Sequence, residues 1–401
     1  MKTNTKISVI GLGYIGFPTA LVVSNNNFHV TGVDNNINLI NNLKKNKIHL
    51  SENEIKNFFI KSQKKNKIKF TSKPVISDIF IICVPTPLRN NKPDISSVLK
   101  AVESIYPVLR NGDTIIIEST CPVGTTIFIH EKINKFFKHK ISFNLAYSPE
   151  RVLPGDIFNE IINNDKIVGG INKSSTDIVA KFFKKIINGK IYKTNSKMAE
   201  LCKLVENSYR SLNIAFANEL SLLCYKNSMD INTLIKLANQ HKRVNILKPS
   251  IGVGGHCIPI DPNFLKEFDK ENTSLISISN SINKKKTNTV KKYLIKKLTV
   301  LNKGIIKKQK ILCLGLSYKP NVGDTRESPA LQIFNFLKKR KKYNISAYDP
   351  YVIDNDKYLI KNFNKIRNQD VFIKLVDHSL FHEKKFLDLF KSKILIDLTI
   401  F

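Results

Sequence analysis

Ile7-Ser-Val-Ile-Gly-Leu-Gly-Tyr-Ile-Gly16, running on into Phe17-Pro-Thr-Ala-Leu-Val-Val23, decides how the first part of this 401-residue chain folds. The apolar run from Ile7 to Ile10 predicts a strand, the apolar spacing after Gly16 predicts a helix, and the glycines between them predict a tight turn. A second strand, His29 to Val33, ends at Asp34, eighteen residues past Gly16. In such a βαβ unit, Gly11-x-Gly13-x-x-Gly16 lets the backbone turn sharply and approach a pyrophosphate, which then meets the free N–H groups at the helix start. Asp34 stands where a carboxylate accepts hydrogen bonds from ribose hydroxyls and would repel a 2′-phosphate, so the pattern predicts NAD rather than NADP.

Working outward, Ile79 to Val84 and Thr114 to Glu118 are apolar enough to be parallel strands buried on both faces. They lead into Pro85-Thr-Pro87 and Ser119-Thr-Cys-Pro-Val-Gly124, loops at the carboxyl ends of strands, where open α/β sheets bind ligands. From about Ser196 to Ala238 strand signals give way to long helices. A second α/β pattern begins at Lys310 to Gly315, passes a helix from Pro329, and returns as Asn344 to Tyr348 ending in Asp349-Pro350, an echo of the first without its glycine triplet. The fold expected is α/β, with two Rossmann-like doubly wound lobes joined by a central helical region. Domains are expected at 1–190, 191–290 and 291–401.

Composition narrows the class. With 42% hydrophobic residues the chain can bury globular cores. No apolar run approaches the roughly 18 residues of a membrane span, and Met1 to Lys6 lacks a signal-peptide pattern, so a cytoplasmic protein is expected, with no membrane partner. The cysteines at 83, 121, 202, 224, 257 and 313 stand singly, which predicts reduced thiols. A net charge of +33 would suit nucleic acid, but the lysines are spread evenly among Asn and Ile without interleaved aromatics, which argues against it. The same basic surface attracts small anionic ligands.

Cys257 differs from the other thiols because it lies in Gly252-Val-Gly-Gly-His-Cys-Ile-Pro-Ile-Asp261, where glycines give a ligand access at backbone level. Cys83, Cys202, Cys224 and Cys313 read as small core hydrophobes within strands or helices. Asp261 could orient a water or the thiol. His256 lacks a second ligand at metal spacing, so no metal is expected. Lys203 and Asn207 stand four apart on one helix face and would suit oxyanion stabilisation. Glu150 and Arg151 sit in a loop held by Pro149, Pro154 and Gly155 at the end of a strand.

Taken in order, the strings Gly11 to Gly16, Pro85 to Pro87, Glu118 to Thr126, Ser148 to Gly155, Lys203 to Asn207, Gly254 to Cys257 and Lys319 through Pro329 resemble the UDP-glucose/GDP-mannose dehydrogenase family. Ser148 to Gly155, Asn213 to Ser221 and His241 to Leu247 bring the likeness nearest to its members that act on UDP-N-acetyl-D-mannosamine. Ile258-Pro-Ile-Asp261 leaves UDP-N-acetyl-D-glucosamine 6-dehydrogenases as the alternative, and a nucleotide-sugar-binding protein without catalysis is the rival from another class. The resemblance implies NAD contacts from the three glycines, Tyr14, Ile15, Asp34, Thr86, Thr126 and Arg326. It implies UDP-amino-sugar contacts from Glu150, Arg151, Lys203, Asn207, Arg210, His241, Arg243, Gly254, Tyr318 and Lys319. It also implies a homodimer built on the central helices, a UDP-sugar-binding C-terminal domain and a role in surface polysaccharide biosynthesis. The reaction it implies is a four-electron oxidation of a C6 alcohol, with Cys257 as nucleophile and Lys203 and Asn207 on the oxyanions. Thr120, Glu150 and Asp261 are the residues that could handle the hydrolytic water.

Overall fold

Successive side chains of a strand point to opposite faces, so a strand apolar throughout must feed two cores at once. Ile79 and Ile81 enter one hydrophobic cluster, while Phe80 and Ile82 enter another on the opposite face of the same sheet. This computed structural model describes residues 5–50, 54–90, 92–301, 309–340, 343–352, 358–399 and 401. The first four residues and Ile400, part of the terminal stretches read above, lie outside them.

The chain divides into two compact units, 1–205 and 206–401. The strands of the first are β1 (Lys6–Ile10), β2 (His29–Val33), β3 (Ile68–Thr71), β4 (Ile79–Ile82), β5 (Leu88–Arg89), β6 (Lys92–Pro93), β7 (Thr114–Ile117), β8 (Asn144–Tyr147), β9 (Lys166–Gly170) and β10 (Ile191–Asn195). β5 and β6 make a small hairpin, and the other eight form one sheet in the order β10-β9-β8-β7-β4-β1-β2-β3. Its helices are α1 (Gly16–Asn25), α2 (Ile37–Lys44), α3 (Ile55–Lys64), α4 (Ser96–Ser104), α5 (Thr125–Phe136), α6 (Ile157–Asn163) and α7 (Lys173–Phe183). Neighbouring strands pair in parallel except β8 and β9, which run antiparallel through Ala146–Gly170 and Tyr147–Gly169. β1 pairs with both β2 and β4, so the direction of winding switches beside β1 and opens a crevice at its carboxyl end.

Helix α8 (Ser196–Lys226) begins in the first unit and runs on into the second, which continues with α9 (Ile231–Ala238), α10 (Asp261–Phe268) and α11 (Ser274–Leu301). A parallel sheet follows, ordered β12-β11-β13-β14, from β11 (Lys310–Leu314), β12 (Asn344–Tyr348), β13 (Val371–Lys374) and β14 (Ile394–Asp397). Val290, Leu294 and Leu298 of α11 and Ile333, Phe334 and Leu337 of α12 (Pro329–Lys338) cover one face. Ile366 of α13 (Phe363–Arg367) and Phe386 and Leu389 of α14 (Lys384–Ser392) cover the other. A mostly parallel sheet and a fully parallel one, each with helices on both faces, and long helices between them in the chain, are the α/β architecture that the sequence pattern implies.

The second lobe repeats the first more closely than the missing triplet suggests. Gly11 takes φ +92° and donates its N–H to Val33 O at 2.8 Å, while Gly315 takes φ +86° and donates to Tyr348 O at 2.8 Å. After each glycine the next N–H, of Leu12 or Leu316, bonds the acidic residue that ends the second strand, Asp34 at 2.9 Å or Asp349 at 2.7 Å.

Candidate active site

The glycine turn between β1 and α1 is built by close approach. A Cβ on Gly16 would lie 1.9 Å from Gly11 O, and one on Gly11 would lie 2.5 Å from Cys83 O, so both positions exclude larger residues. Gly13 is the reverse: it is exposed and nothing lies within 4 Å of where its Cβ would be. Helix α1 starts without a side-chain cap and without an acidic residue in its first turn. Beside the open Gly13, that uncapped helix start suits a pyrophosphate, so the residues present fit a dinucleotide.

Tyr14 and Ile15 are half-buried beside this turn. Asp34 is held at the end of β2, where its carboxylate accepts from Leu12 N–H and from Asn36 N–H, both at 2.9 Å. His49, which the sequence did not single out, hydrogen-bonds the Leu12 backbone and feels the Asp34 charge, while its ring packs 5.2 Å from Phe17. Thr86 is buried in the loop after β4. Thr120 is half-buried after β7, beside Ser119, whose hydroxyl accepts from Val84 N–H at 2.8 Å and so ties the two loops together.

Thr126 is placed less openly than a cofactor contact requires. Its side chain is fully buried and its hydroxyl donates to Glu200 of α8 at 2.6 Å, alongside the N–H groups of Thr126 and Gly124. Glu200 thus occupies the start of α5, and burial raises its pKa against the pull of those three donors. A cofactor reaching Thr126 would compete with that carboxylate.

Glu150 is placed differently from a group that would handle water. Its carboxylate turns inward, 2.7 Å from Lys166 Nζ, and also accepts from Arg151 N–H at 2.8 Å. What Glu150 offers to α8 is its carbonyl, which accepts from Lys203 Nζ at 2.7 Å. Lys203 is correspondingly buried. Arg151 donates to the Asp165 carbonyl. Lys166 also bonds Glu118 at 3.0 Å, and Glu118 accepts from the Cys83 thiol at 3.0 Å. Burial, with Glu118 alongside, pushes the Cys83 pKa well up, so this sulfur stays a thiol. Cys83 lies just past the end of β4 rather than inside the strand, because the chain leaves the sheet at Ile82.

In the second unit Cys257 is exposed, unlike the buried Cys224 and Cys313. Its loop is pinned at Gly254 and Gly255, where a Cβ would lie 2.7 and 2.9 Å from Tyr318 atoms. Gly255 N–H also donates to Arg326 O at 2.9 Å. The Cys257 carbonyl accepts from Ile260 N–H and Asp261 N–H, a turn that leads into α10 at Asp261. Asp261 is buried, and its carboxylate accepts from the Asn207 amide at 2.5 Å. The structure thus brings Asn207, Asp261 and Cys257 together as one turn bonded to α8.

Arg326 is clasped by Asp324, with Nη2 to Oδ2 at 2.6 Å, and that bond raises its pKa. Its charge also interacts with Cys257. Burial and then the Arg326 charge lower the pKa of His256, which keeps that ring neutral. Tyr318 and Lys319 are half-buried in the loop after β11, and Ser317 Oγ donates to Lys319 O at 2.9 Å. Buried His378 accepts from Asn321 N–H at Nδ1, 2.9 Å, and donates from Nε2 to Asp349 at 3.1 Å, fixing the same loop. Arg210, His241 and Arg243 are exposed, and Asn239 clamps the turn carrying the last two through Ile246 N–H at 2.8 Å.

Comparison with known proteins places the chain in a family. The NAD binding domain of the UDP-glucose/GDP-mannose dehydrogenase family matches residues 5–187, its central domain 197–285 and its UDP binding domain 312–401. A UDP-N-acetyl-D-mannosamine dehydrogenase of Methanococcus vannielii is 40% identical over 403 residues, covering 98% of this chain and 92% of its own. The enzyme of that name from Escherichia coli K12 is 37% identical, covering 94% of each. The solved UDP-D-ManNAc dehydrogenase of Pyrococcus horikoshii superposes with a TM-score of 0.91 at 35% identity, covering 99% of this chain and 96% of that one. With an NAD binding domain at its N-terminus and a UDP binding domain at its C-terminus, this chain belongs to the UDP-glucose/GDP-mannose dehydrogenase family.

Proposed function

We propose that the chain oxidises the C6 alcohol of UDP-N-acetyl-D-mannosamine to the carboxylate, consuming two NAD per sugar. The observation that carries the chemistry is Cys257, an exposed thiol beside Arg326 whose carbonyl turn is bonded through Asp261 to Asn207. The choice of sugar follows the relatives of that name at 37–40% identity.

NAD, when bound, accepts a hydride in each of the two oxidations. Gly11, Gly13 and Gly16 leave room for its pyrophosphate at the start of α1, and Asp34 takes the ribose hydroxyls. In the first oxidation the C6 alcohol gives up its hydroxyl proton to a base and a hydride from the carbon, and becomes an aldehyde. The Cys257 thiolate then adds to the carbonyl carbon to give a thiohemiacetal. Loss of the second hydride leaves a thioester, and water cleaves it to the uronate and the thiol. Lys203 and Asn207, one helical turn apart on α8, offer an ammonium and an amide to the oxygen that becomes negative. Because the Glu150 carboxylate is paired with Lys166, Asp261 is the better placed carboxylate to orient the hydrolytic water, with Thr120 as a neutral alternative.

Tyr318, Lys319, Arg210, His241 and Arg243 would hold the UDP-sugar, and Arg326 would serve the cofactor and the Cys257 thiolate. The working form is a cytoplasmic homodimer whose acidic product feeds a surface polysaccharide. NADH formation across a panel of UDP-sugars tests the reading. Preference for UDP-N-acetyl-D-mannosamine over UDP-glucose, with two NADH per sugar, is expected. Equal or better turnover of UDP-glucose would refute the choice of sugar, and faster turnover of UDP-N-acetyl-D-glucosamine would move the assignment to that epimer.

A further inference from the structure

Lys166 has no part in the reaction as written above, yet its side chain is 6% exposed and bonds two buried carboxylates. Its position follows from the one antiparallel pairing of the large sheet. Because β9 runs against β8, with Tyr147 opposite Gly169, the start of β9 is carried past the end of β8 to the edge where the ligand loops gather. There Lys166 Nζ lies 2.7 Å from Glu150 Oε2 and 3.0 Å from Glu118 Oε1, with the Phe183 ring 4.5 Å away. Glu118 Oε2 in turn accepts from Cys83 Sγ at 3.0 Å and Thr19 Oγ1 at 3.2 Å. One ammonium thereby ties together the loops that follow β4, β7 and β8. Burial opposes the charge on Lys166, but the two carboxylates outweigh it and hold the pKa well above that of an ordinary lysine.

Two further bonds staple the same loop to the approach of β9: Arg151 to the Asp165 carbonyl, and the Asn164 amide to Arg151 O at 3.2 Å. The Glu150 peptide is fixed from both sides, and its carbonyl is the acceptor of Lys203 Nζ at 2.7 Å. We propose that Lys166 is a positioning residue for the dehydrogenase reaction: by holding the Glu150 carboxylate it fixes the carbonyl that aims the Lys203 ammonium at the substrate oxygen. This rests on the role given to Lys203 above. Without Lys166, two buried carboxylates are left facing each other unpaired, the loop opens, and Lys203 loses its anchor.

Lys166→Met and Lys166→Arg test it, measured with whichever UDP-sugar the wild-type enzyme turns over best. A wild type that reduces NAD with none of them would defeat the reading of the function and not this one. A displacement of about 1 Å at a catalytic group costs on the order of 100-fold. Lys166→Met is therefore expected to lower kcat about 100-fold while the Kd for NAD stays within twofold, and Lys166→Arg should recover at least tenfold of that loss. The decisive comparison is a double variant. If Lys166 acts through Lys203, adding Lys166→Met to Lys203→Met should cost less than threefold beyond Lys203→Met alone. Independent, multiplicative losses, or a Lys166→Met enzyme within threefold of wild-type kcat, would overturn the proposal. Should Met at 166 prevent folding, Lys166→Met with Glu118→Gln removes one stranded charge and carries the same test. Wild-type kcat in that variant would overturn the proposal equally.

Discussion

A carboxylate at the end of the second strand does two jobs that pull in different directions. Asp34 braces the glycine turn through Leu12 N–H and keeps acceptor capacity for a ligand, since two oxygens offer more lone pairs than two N–H groups use. Hydrogen bonds to a charged group are worth about 1.5–3 kcal/mol. Asp34→Ala is therefore expected to raise the Kd for NAD roughly 10–100-fold in a folded protein, as titration by fluorescence would report; unchanged affinity would remove Asp34 from the site. The same scale separates the cysteines. Cys257→Ala should abolish uronate and leave at most one NADH per sugar, with aldehyde trapped or released, whereas Cys313→Ala, in the core, should lower stability without altering stoichiometry. Asp34 and Cys257 could be singled out as candidates because their neighbours are unusual: a glycine triplet at a fixed distance, a cysteine among glycines. Lys166 and Glu200 were not, since a lysine among 65 basic residues carries no mark of its burial, and its partners lie 16 and 48 positions away. Lys286 was hidden for the same reason. It is fully buried, bonds Ser221 Oγ at 2.5 Å and Phe401 O at 2.7 Å, and burial pulls its pKa from 10.5 down to about 7. Between those values the unfolded chain binds a proton that the folded chain does not, so stability rises with pH from about 7 towards 10.5, and below 7 the folded state carries the whole cost of a buried ammonium. The unfolding free energy of the wild type, from urea titration, should rise between pH 7 and pH 9 by on the order of 2 kcal/mol relative to Lys286→Met. Parallel shifts in the two proteins would mean that Lys286 does not titrate in that window.

At the scale of the element, α8 has its polarity inverted. Within the second unit Ser211, Asn218 and Ser221 are buried, with Asn218 bonding Asn283 of α11 at 2.9 Å and Ser221 bonding Lys286. The opposite face shows Tyr209, Phe216 and Leu223 at 67, 51 and 51% exposure, spaced seven apart as in a helix seam. An apolar stripe left outside while polar groups go inside suits a surface covered by another molecule, and in the homodimer proposed above a second copy of this helix would supply a matching seam. Phe216→Glu with Tyr209→Glu should therefore shift the protein from dimer to monomer in sedimentation experiments; a monomeric wild type at micromolar concentration would sink the dimer. Helix α8 was legible from spacing, as were β1, β2, β12 and the start of α12 at Pro329. The reversal of β9 was not, because pairing direction depends on the path of the chain between strands and leaves no periodic trace in the strand itself. That reversal is what brings Lys166 to the ligand edge, so the hidden residue and the hidden topology are one omission.

For the whole molecule, the two lobes use the same device, a positive-φ glycine followed by an N–H that bonds the next strand's acidic residue, but they finish it differently. Asp34 meets only backbone donors in the hydrogen bonds described for it, whereas Asp349 is buried against His378, which, with backbone N–H groups, holds its pKa low against the effect of burial. A carboxylate braced by an imidazole stabilises its own loop, and that loop carries Tyr318 and Lys319. Both acids brace their glycine turns, and the one in the first lobe is the one that the proposed function also gives to a ligand. Both expected ligands, a dinucleotide and a nucleotide sugar, are anions, and the chain meets them with a net charge of +33. Charge of that sign raises the local concentration of anions and speeds their capture, and salt removes the effect as the screening length falls from about 30 Å at 0.01 M to about 8 Å at 0.15 M. Capture enters kcat/KM, whereas the steps after binding, which the proposed function gives to Cys257, Lys203 and Asn207, do not depend on long-range attraction. Raising NaCl from about 10 to about 300 mM should therefore lower kcat/KM for the UDP-sugar several-fold and leave kcat within twofold. A neutral viscogen control separates encounter from chemistry. If kcat and kcat/KM fall together with salt, the ions act on the site itself, and if neither moves, the excess of lysine plays no part in recognition.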